Sequence, residues 1–363
     1  MGQIMKKICF VDYDMSVIGG VEQVTAALVN ALADKCEVHL LCFYEEKPLA
    51  YNLDPRVKYT RLFDQEYRLR DARKKAKDKL KNYFEENNID VAILQGNYSG
   101  FLGSVVRFST KTKLVFCDHG ALMNQWERKD IVMIRLISSL LCNKVVTLTE
   151  ENKVDYCKHF LLPKNKVRVI QNWIDLDKYH SQKYDAESKS LVSAGRFGKE
   201  KGFDQLIKAF APVAKKHPQW TLDLYGDGEM MDTVKKLITE YNIGGNVNLM
   251  GMRNDLSERY GKYAFYVLPS YREGLPLTLL EAKTNRLPIV SFNIKTGPSE
   301  IVRDGVDGIL VPPQDIEAMS NAICSIIEDD DMRIRMSDKS QENIDKFSKE
   351  TIINKWMSLI EEL

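Results

Sequence analysis

The stretch "AFYVLPSYREGLPLTLLEAKTNRLPIVSF" (264–292) joins two apolar runs through a glycine-containing turn and a helical pattern. The runs "AFYVLP" and "PIVSF" are continuously apolar, which is typical of strands that are buried on both faces of a parallel sheet. Pro276 suits the first turn of the helix between them. The stretch therefore predicts a strand–helix–strand unit, in which a helix covers a parallel sheet.

Strand–helix units of this kind recur along the whole chain. Further apolar runs predict strands at 7–11, 37–43, 91–94, 113–117, 144–148, 167–170, 190–195, 221–226, 247–251 and 308–311. Helical patterns lie at 21–33, 203–216, 229–240, 276–286 and 315–328. The alternation of strands and helices predicts the α/β class, and the strands are too many for one such sheet. The chain would form two Rossmann-like, doubly wound domains that face each other across a deep cleft.

A polar stretch after "QNWIDLDKY" (171–179) marks the predicted join between the domains. We predict a first domain at 1–172 and a second at 173–348, with a C-terminal helix at about 349–363 that packs back on the first. Ligands of doubly wound sheets bind beyond the carboxyl ends of the strands. The loops that follow the strands are therefore the places to look for binding residues.

Composition indicates a globular protein without a polyanionic partner. The 363 residues are 44% hydrophobic and 28% charged, with a net charge of +1, which argues against nucleic-acid binding. The seven cysteines are scattered and have no CxxC spacing, which favours reduced thiols in a cytoplasmic protein over disulfides or a zinc site. The longest apolar segment, 131–141, is short and contains Arg135, so we expect no bilayer-spanning helix.

Two glycine-containing loops are candidates for binding a phosphate. "SVIGGVEQV" (16–24) follows the first strand and opens a helix, so Gly19 and Gly20 permit close approach to an anion at the helix start, although a plain tight turn is an equal alternative. In "SAGRFGKEKGF" (193–203), Arg196 and Lys201 lie on one strand-end loop, where two cations can grip a diphosphate. The alternative for this loop is a solvated basic surface.

Two glutamates and a histidine follow other strands. Glu273 precedes the turn residue Gly274, and Glu281 lies eight positions further on, inside an apolar helical pattern. A carboxylate there would accept hydrogen bonds from two neighbouring ribose hydroxyls, or else it pairs with an Arg or Lys or is exposed. His119 follows the strand at 113–117 and could hydrogen-bond a substrate or be structural. The acidic run "EDDDM" (328–332) is interpreted as a solvated loop.

Taken together, these stretches resemble the family 4 glycosyltransferases, which have the GT-B fold of two facing Rossmann-like domains. The stretches that carry the resemblance are "IGG" (18–20), "DHG" (118–120), "VIQNWID" (169–175), "AGRFGKEKGFDQLIKAF" (194–210), "LYGDGE" (224–229), "PSYREGLPLTLLEA" (269–282) and "GPSEIVRDGVDGILVPP" (297–313). The family signature E-x7-E is matched by Glu273 and Glu281. The combination in this order covers essentially the whole chain.

The resemblance implies roles for the residues that bind the diphosphate. Arg196 and Lys201 would hold the diphosphate of a nucleotide-sugar in place of a metal, so no metal or other cofactor is expected. The backbone amides of Leu277 and Thr278 would complete the phosphate site. Gly20 would approach the diphosphate or the acceptor from the other domain.

Further roles concern the sugar and the ribose. Glu273, next to Gly274, would bind the donor sugar, Glu281 would bind the ribose, and His119 would lie beside the donor sugar. Such enzymes retain the anomeric configuration. Departures from the family pattern occur at three places: Trp173 follows Asn172 and Pro298 follows Gly297 where glycine is usual, and "LQGN" (94–97) lacks a histidine. Asn172 and Gly19 remain candidate binding residues.

These features predict a retaining, metal-independent glycosyltransferase of bacterial surface-polysaccharide synthesis. Its donor would be a UDP-sugar, with GDP-mannose as the alternative, and its acceptor a saccharide or lipid-linked saccharide. A UDP-N-acetylglucosamine 2-epimerase and a non-catalytic nucleotide-sugar sensor are alternatives of other classes. Eight cations lie in "RLRDARKKAKDKLK" (68–81), which predicts contact with anionic lipid at the inner face of the cell membrane, or else a solvated helix.

Overall fold

The computed structural model describes residues 5–174, 176, 184–253 and 255–363. The chain divides into two compact units: the first runs to Asn172 and also includes Glu350–Leu363, and the second is Trp173–Lys349. Residues 175 and 177–179 of the predicted join, and residues 180–183 of the polar stretch after it, lie outside the described residues. Each unit is built around its own parallel sheet.

The first unit contains a seven-stranded sheet in the order β3-β2-β1-β4-β5-β6-β7. Its strands are β1 (Lys7–Asp12), β2 (Glu37–Cys42), β3 (Lys58–Arg61), β4 (Val91–Gln95), β5 (Lys113–Asp118), β6 (Lys144–Thr147) and β7 (Val167–Val169). Its helices before the second unit are α1 (Gly20–Leu32), α2 (Leu69–Glu86), α3 (Gly96–Gly103), α4 (Lys129–Leu141) and α5 (Glu150–His159). Every strand pair is parallel; β4 is completely buried, and its neighbours β1 and β5 are buried except at their first residues.

The second unit contains a six-stranded sheet in the order β10-β9-β8-β11-β12-β13, again with every strand pair parallel. Its strands are β8 (Ser190–Ala194), β9 (Thr221–Tyr225), β10 (Val247–Gly251), β11 (Phe265–Leu268), β12 (Ile289–Phe292) and β13 (Gly308–Val311). Its helices are α6 (Phe203–Lys216), α7 (Met231–Glu240), α8 (Leu277–Thr284), α9 (Pro298–Ile301), α10 (Ile316–Glu328) and α11 (Asp330–Ser340).

The last helix, α12 (Lys349–Glu362), leaves the second unit and packs on the first. Its Trp356 is buried, with its ring centroid 6.5 Å from that of Phe10 in β1. At its C-terminal end, the Glu362 carboxylate pairs with Lys144 at 2.5 Å and with Arg168 at 2.7 Å. Apolar packing and surface charge therefore attach the end of the chain to the first unit.

The predicted α/β fold is confirmed, and each predicted strand matches one in the structure. The sequence missed β3, an edge strand whose burial pattern is exposed, intermediate, intermediate, exposed, because such a strand contains no apolar run. The interpretation of "EDDDM" (328–332) as a loop is wrong. The Asp329 side chain accepts a hydrogen bond from the Met332 N–H at 2.7 Å and so caps α11.

Strand order reverses at one point in each sheet, and this point positions the candidate residues. In the first unit, β2 and β3 lie on one side of β1 while β4 to β7 lie on the other; in the second, β9 and β10 lie on one side of β8 while β11 to β13 lie on the other. The connections after the two central strands then run in opposite directions, which leaves a crevice at the carboxyl edge. The loops after β1, β4, β8 and β11 flank these crevices.

Candidate active site

In the second unit, the loops after β8 and β11 are held against each other. Gly202 has φ +67°, and a Cβ there would collide with the Pro269 carbonyl, so only glycine fits this position. The Gln205 side-chain amide donates to the Pro269 carbonyl at 3.2 Å, and the Tyr271 N–H donates to the Glu200 carbonyl at 2.9 Å. The close contact brings the side chains of the two loops together.

Lys201 and Glu273 form an ion pair across these loops. The Lys201 Nζ lies 2.7 Å from the Glu273 Oε1, and the Ser270 hydroxyl donates to the same oxygen at 2.7 Å. The Glu273 side chain is only 9% exposed, whereas that of Lys201 is 27% exposed. The Thr296 hydroxyl, after β12, donates to the Glu273 carbonyl at 2.6 Å. Glu273 is therefore held from three loops, while Lys201 reaches it from a more open position.

Arg196 forms an ion pair with Glu200, which lies on the same loop. Its guanidinium lies 2.7 Å from the Glu200 carboxylate, and its side chain is 74% exposed. Burial works to raise the pKa of Glu200, but the hydrogen bond from Arg196, a backbone hydrogen bond and the charges of Arg196 and Lys201 together leave that pKa below its usual value. The two cations that the sequence predicts to bind a diphosphate thus lie on one loop, and each of them pairs with a carboxylate.

The helix α8 begins one residue later than the predicted helical pattern at 276–286. Pro276 is its N-cap residue and Leu277 its first residue, so Leu277 and Thr278 supply first-turn N–H groups without intrahelical partners. Gly297 has φ +101°, and a Cβ there would lie 2.7 Å from Pro276 and 3.0 Å from the Gly274 carbonyl. The glycine therefore lets a third loop pack against the start of α8.

Glu281 is half-buried on α8 and lies little more than one turn from the start of the helix. The hydroxyl of the buried Tyr260 donates to its carboxylate at 3.0 Å. The fully buried charge of this helix is instead Lys283, which is 2% exposed and lies 2.6 Å from Asp307. The sequence interpretation missed Lys283, since an apolar helical pattern does not show which charged residue faces the protein interior.

In the first unit, Gly19 is the N-cap residue of α1 and Gly20 its first residue. The Tyr51 hydroxyl donates to the Gly19 carbonyl at 3.1 Å, and a Cβ on Gly19 would collide with the Glu22 carboxylate. Burial raises the pKa of this Glu22 carboxyl. The helix start that the sequence predicts as an anion site therefore has an acidic side chain of its own beside it.

Asp12, at the carboxyl end of β1, is buried next to this loop. Its carboxylate accepts hydrogen bonds from the Thr25 hydroxyl at 2.8 Å and the Tyr13 N–H at 2.7 Å. Burial raises the pKa of Asp12 to about 7 despite these bonds, and the nearby Glu22 contributes in the same direction. The sequence offers no signal for this shift, because it depends on depth in the folded unit.

His119, after β5, lies against Gln95 at the end of β4. The His119 Nε2 is 2.5 Å from the Gln95 Oε1. With the Gln95 amide in this orientation, the tautomer that fits has its proton on Nε2 and leaves Nδ1 as an acceptor. Burial lowers the pKa of His119 to about 4, although Asp118 opposes the effect. The imidazole is therefore neutral at pH 7. Asn172 is also buried, three residues beyond β7 at the end of the first unit.

A buried ion pair supports the loop that carries His119. The Arg135 guanidinium lies 3.1 Å from Asp118, and the Tyr156 hydroxyl donates to the same carboxylate at 2.7 Å. Burial by itself raises the pKa of Asp118, but Arg135 and Tyr156 hold it below its usual value. A Cβ on Gly120 would lie 2.6 Å from the Arg135 guanidinium, so the loop closes tightly over it.

The two Rossmann-like units, with a cation–carboxylate pair beside a helix start, define the class of GT-B glycosyltransferases. Residues 177–343 match the family model of glycosyl transferases group 1, and residues 18–178 match that of Glycosyltransferase Family 4. The chain belongs to glycosyltransferase family 4.

Known proteins similar to this chain include whole-length relatives. An uncharacterized glycosyltransferase of Haemophilus influenzae is 28% identical over 98% of this chain and 100% of its own length. A poly(ribitol-phosphate) alpha-N-acetylglucosaminyltransferase of Staphylococcus aureus is 29% identical, over 60% of this chain and 43% of its own. The structure of Anabaena HepE in complex with UDP-glucose is 19% identical, with a TM-score of 0.81 over 98% of this chain and 100% of that one.

Proposed function

We propose that the protein is a retaining glycosyltransferase that moves a sugar from a UDP-sugar to a saccharide or lipid-linked saccharide in bacterial surface-polysaccharide synthesis. The observation that carries the proposal is the Lys201–Glu273 pair beside the start of α8. It lies at the crevice of the second sheet, where ligands of this fold bind. The name of the Staphylococcus relative supports transfer of a sugar to a polymeric acceptor, and that of the Anabaena complex supports a UDP-sugar donor.

The charges at this crevice suit a leaving nucleoside diphosphate. Lys201 and Arg196 would exchange their carboxylate partners for phosphate oxygens, and the first N–H groups of α8 would donate to the same group. As the bond to the sugar breaks, negative charge grows on the diphosphate, and preorganised cations lower the energy of that state. This arrangement requires no metal ion.

The carboxylates would recognise the sugar and the nucleoside. Glu273, released from Lys201 yet still held by Ser270, would accept hydrogen bonds from donor-sugar hydroxyls. Glu281, only half-buried and oriented by Tyr260, would accept from two ribose hydroxyls. In the first unit, the neutral His119 would accept a hydrogen bond from a sugar hydroxyl through Nδ1.

A donor screen followed by a transfer assay tests the proposal. UDP-sugars and GDP-mannose are first compared for thermal stabilisation of the protein, and the best donor is incubated with and without candidate acceptors. We expect a UDP-sugar to stabilise most and UDP to appear only with acceptor; preference for GDP-mannose would reassign the donor. Conversion of UDP-N-acetylglucosamine without acceptor would indicate an epimerase, and binding without turnover a sensor.

Two further assays address the mechanism. The anomeric configuration of the product, read by NMR, should equal that of the donor, and an inverted product would contradict retention. Activity should persist after chelation of divalent ions with EDTA. Loss of activity that Mg²⁺ restores would show that the cations of the loop after β8 do not suffice to neutralise the diphosphate.

We also propose that α2 contacts anionic lipid. Its buried residues form a narrow stripe of Ala72, Ala76, Leu80 and Phe84. The opposite faces expose cations at Arg70, Lys74, Lys75, Lys77 and Lys79. Among the described residues, the structure has no helix with the length and hydrophobicity needed to cross a bilayer. Attraction to lipid headgroups would therefore be a surface interaction that salt weakens.

Vesicle sedimentation tests this lipid contact. Binding should rise with the fraction of anionic lipid and should fall when Lys74, Lys77 and Lys79 are replaced by glutamine. A matched control replaces Lys208, Lys215 and Lys235, which lie on helices of the second unit. Equal binding by the two triple variants would contradict a role for α2.

A further inference from the structure

Three side chains of metal-binding type meet on the second unit, away from the loops described above. His217 follows the last residue of α6, and Cys324 and Glu328 lie on α10. One ligand atom from each residue lies within 4.8 Å of those of the other two. We propose that these residues form a binding site for a zinc-class divalent ion. This proposal is independent of the proposed transferase function.

Backbone structure holds the three ligands in place. Cys324 and Glu328 are four residues apart on one helix, so their side chains lie on the same face. The His217 N–H donates to the Val213 carbonyl at 2.8 Å, and the His217 carbonyl accepts from the Trp220 N–H at 2.9 Å. The helices α6 and α10 contribute to one apolar core. Closure around an ion therefore requires only side-chain movement.

The ligand set has the chemistry that zinc prefers. Imidazole nitrogen, thiolate sulfur and carboxylate oxygen are its usual protein ligands, and three of them leave a fourth position for water. The His217 Nε2 and the Glu328 Oε1 are already 2.8 Å apart. In a tetrahedral ion site with bonds of about 2.0–2.3 Å, neighbouring ligand atoms lie roughly 3.5 Å apart. Binding would therefore lengthen the distance between the His217 nitrogen and the Glu328 oxygen slightly, and would shorten any longer distance between ligand atoms.

The site is accessible to solvent, and one lysine competes with a metal ion for the Glu328 carboxylate. The Glu328 side chain is 44% exposed and that of His217 is 15% exposed. The Lys216 Nζ lies 2.5 Å from the same Glu328 oxygen that contacts His217, and its side chain is 60% exposed. Because this ammonium can turn into solvent, an ion would displace it from Glu328. Lys216 should therefore weaken metal binding in the native chain.

Cobalt substitution tests the site directly. The full chain is stripped with EDTA and titrated with Co²⁺, whose bond to a thiolate produces a charge-transfer absorption, and then with Zn²⁺ in competition. We expect one Co²⁺ per chain, with an absorption that Zn²⁺ abolishes. Cys324→Ser should remove the absorption. His217→Ala and Glu328→Gln should each weaken binding at least about tenfold, because loss of even a residue that only orients a ligand usually costs that much.

The matched control is Cys157→Ser, which replaces the other half-exposed thiol of the described residues and should leave the titration unchanged. Lys216→Met should strengthen binding several-fold, an effect opposite in sign to those of the ligand variants. Zn²⁺ should also raise the Tm of the wild type and of Cys157→Ser but not that of Cys324→Ser. Absorption that survives Cys324→Ser, or no stoichiometric binding by a folded wild type, would overturn the proposal.

Discussion

The carboxyl edges of the two sheets share a topology and differ in their electrostatics. At the second edge, the ionised pairs Lys201–Glu273 and Arg196–Glu200 are partly exposed. At the first, the Arg135–Asp118 pair is about 1% exposed and His119 is neutral at pH 7. The members of an exposed ion pair can exchange partners at little cost in free energy, whereas removal of one member of a buried pair destabilises the protein strongly. The second edge is thus suited to binding a charged ligand. At the first edge, the buried pair fixes the shape of the loop, which suits the binding of uncharged hydroxyl groups of a ligand.

This contrast predicts that Arg135→Met is the most damaging substitution for stability. It leaves the Asp118 carboxylate buried without its cation, which should cost about 3–5 kcal/mol of unfolding free energy. Urea unfolding followed by circular dichroism measures the loss. The control is Arg128→Met, which removes an exposed pair with Asp130 on the same helix region and should leave the unfolding midpoint unchanged. Equal stability of the two variants would contradict the idea that the buried ion pair at the first edge contributes more to stability than an exposed pair.

At the second edge, Lys201→Met should affect catalysis more than stability. Loss of a preorganised charge opposite the leaving diphosphate should lower the turnover rate by about 10²–10³-fold. A coupled assay of UDP release measures the rate, and thermal melting checks that the variant folds. The control is Lys199→Met, which replaces an exposed cation of the same loop and should retain most of the activity. Comparable losses in both variants would indicate a general charge effect.

Asp12→Asn should change how stability depends on pH. In the folded protein this carboxyl keeps its proton up to a pKa of about 7, whereas in the unfolded chain it loses the proton near 3.8. Stability from this group is therefore present below pH 4 and is lost as the pH rises through 7. Relative to Asp12→Asn, the wild type should lose about 1.4 kcal/mol between pH 6 and pH 8.

Urea unfolding of the two proteins at several pH values gives this difference. The lowered pKa of His119 has the opposite effect, because it makes the folded protein less stable as the pH falls. His119 is present in both proteins, so its effect cancels in the difference between their unfolding free energies. A difference between the two proteins that is constant with pH would show that Asp12 is ionised in the fold.

The smallest expected effect is that of Glu200→Gln. It releases Arg196 from an ion pair at the protein surface, and exposed pairs are worth about 0.2–1 kcal/mol. Affinity for UDP, measured by calorimetry, should therefore rise about twofold. Weaker binding would mean that Glu200 positions Arg196 for the ligand and does not compete with it.

The amino-acid sequence alone determined the architecture, because buried parallel strands and amphipathic helices leave local patterns of hydrophobicity. It also determined which loops to inspect, since the carboxyl ends of parallel strands meet at one edge of each sheet. The pattern failed at β3, where an exposed edge strand contains no apolar run, and at 328–332, where an aspartate begins a helix.

Only the tertiary structure decided the partners and protonation states of the charged residues. Glu281 and Lys283 lie two positions apart in one apolar pattern, yet the structure buries the lysine against Asp307 and leaves the glutamate half-buried beside Tyr260. The pKa of Asp12 near 7 likewise follows from depth in the fold. Hydrophobic periodicity is a local property, whereas desolvation and pairing depend on residues that are distant in the chain.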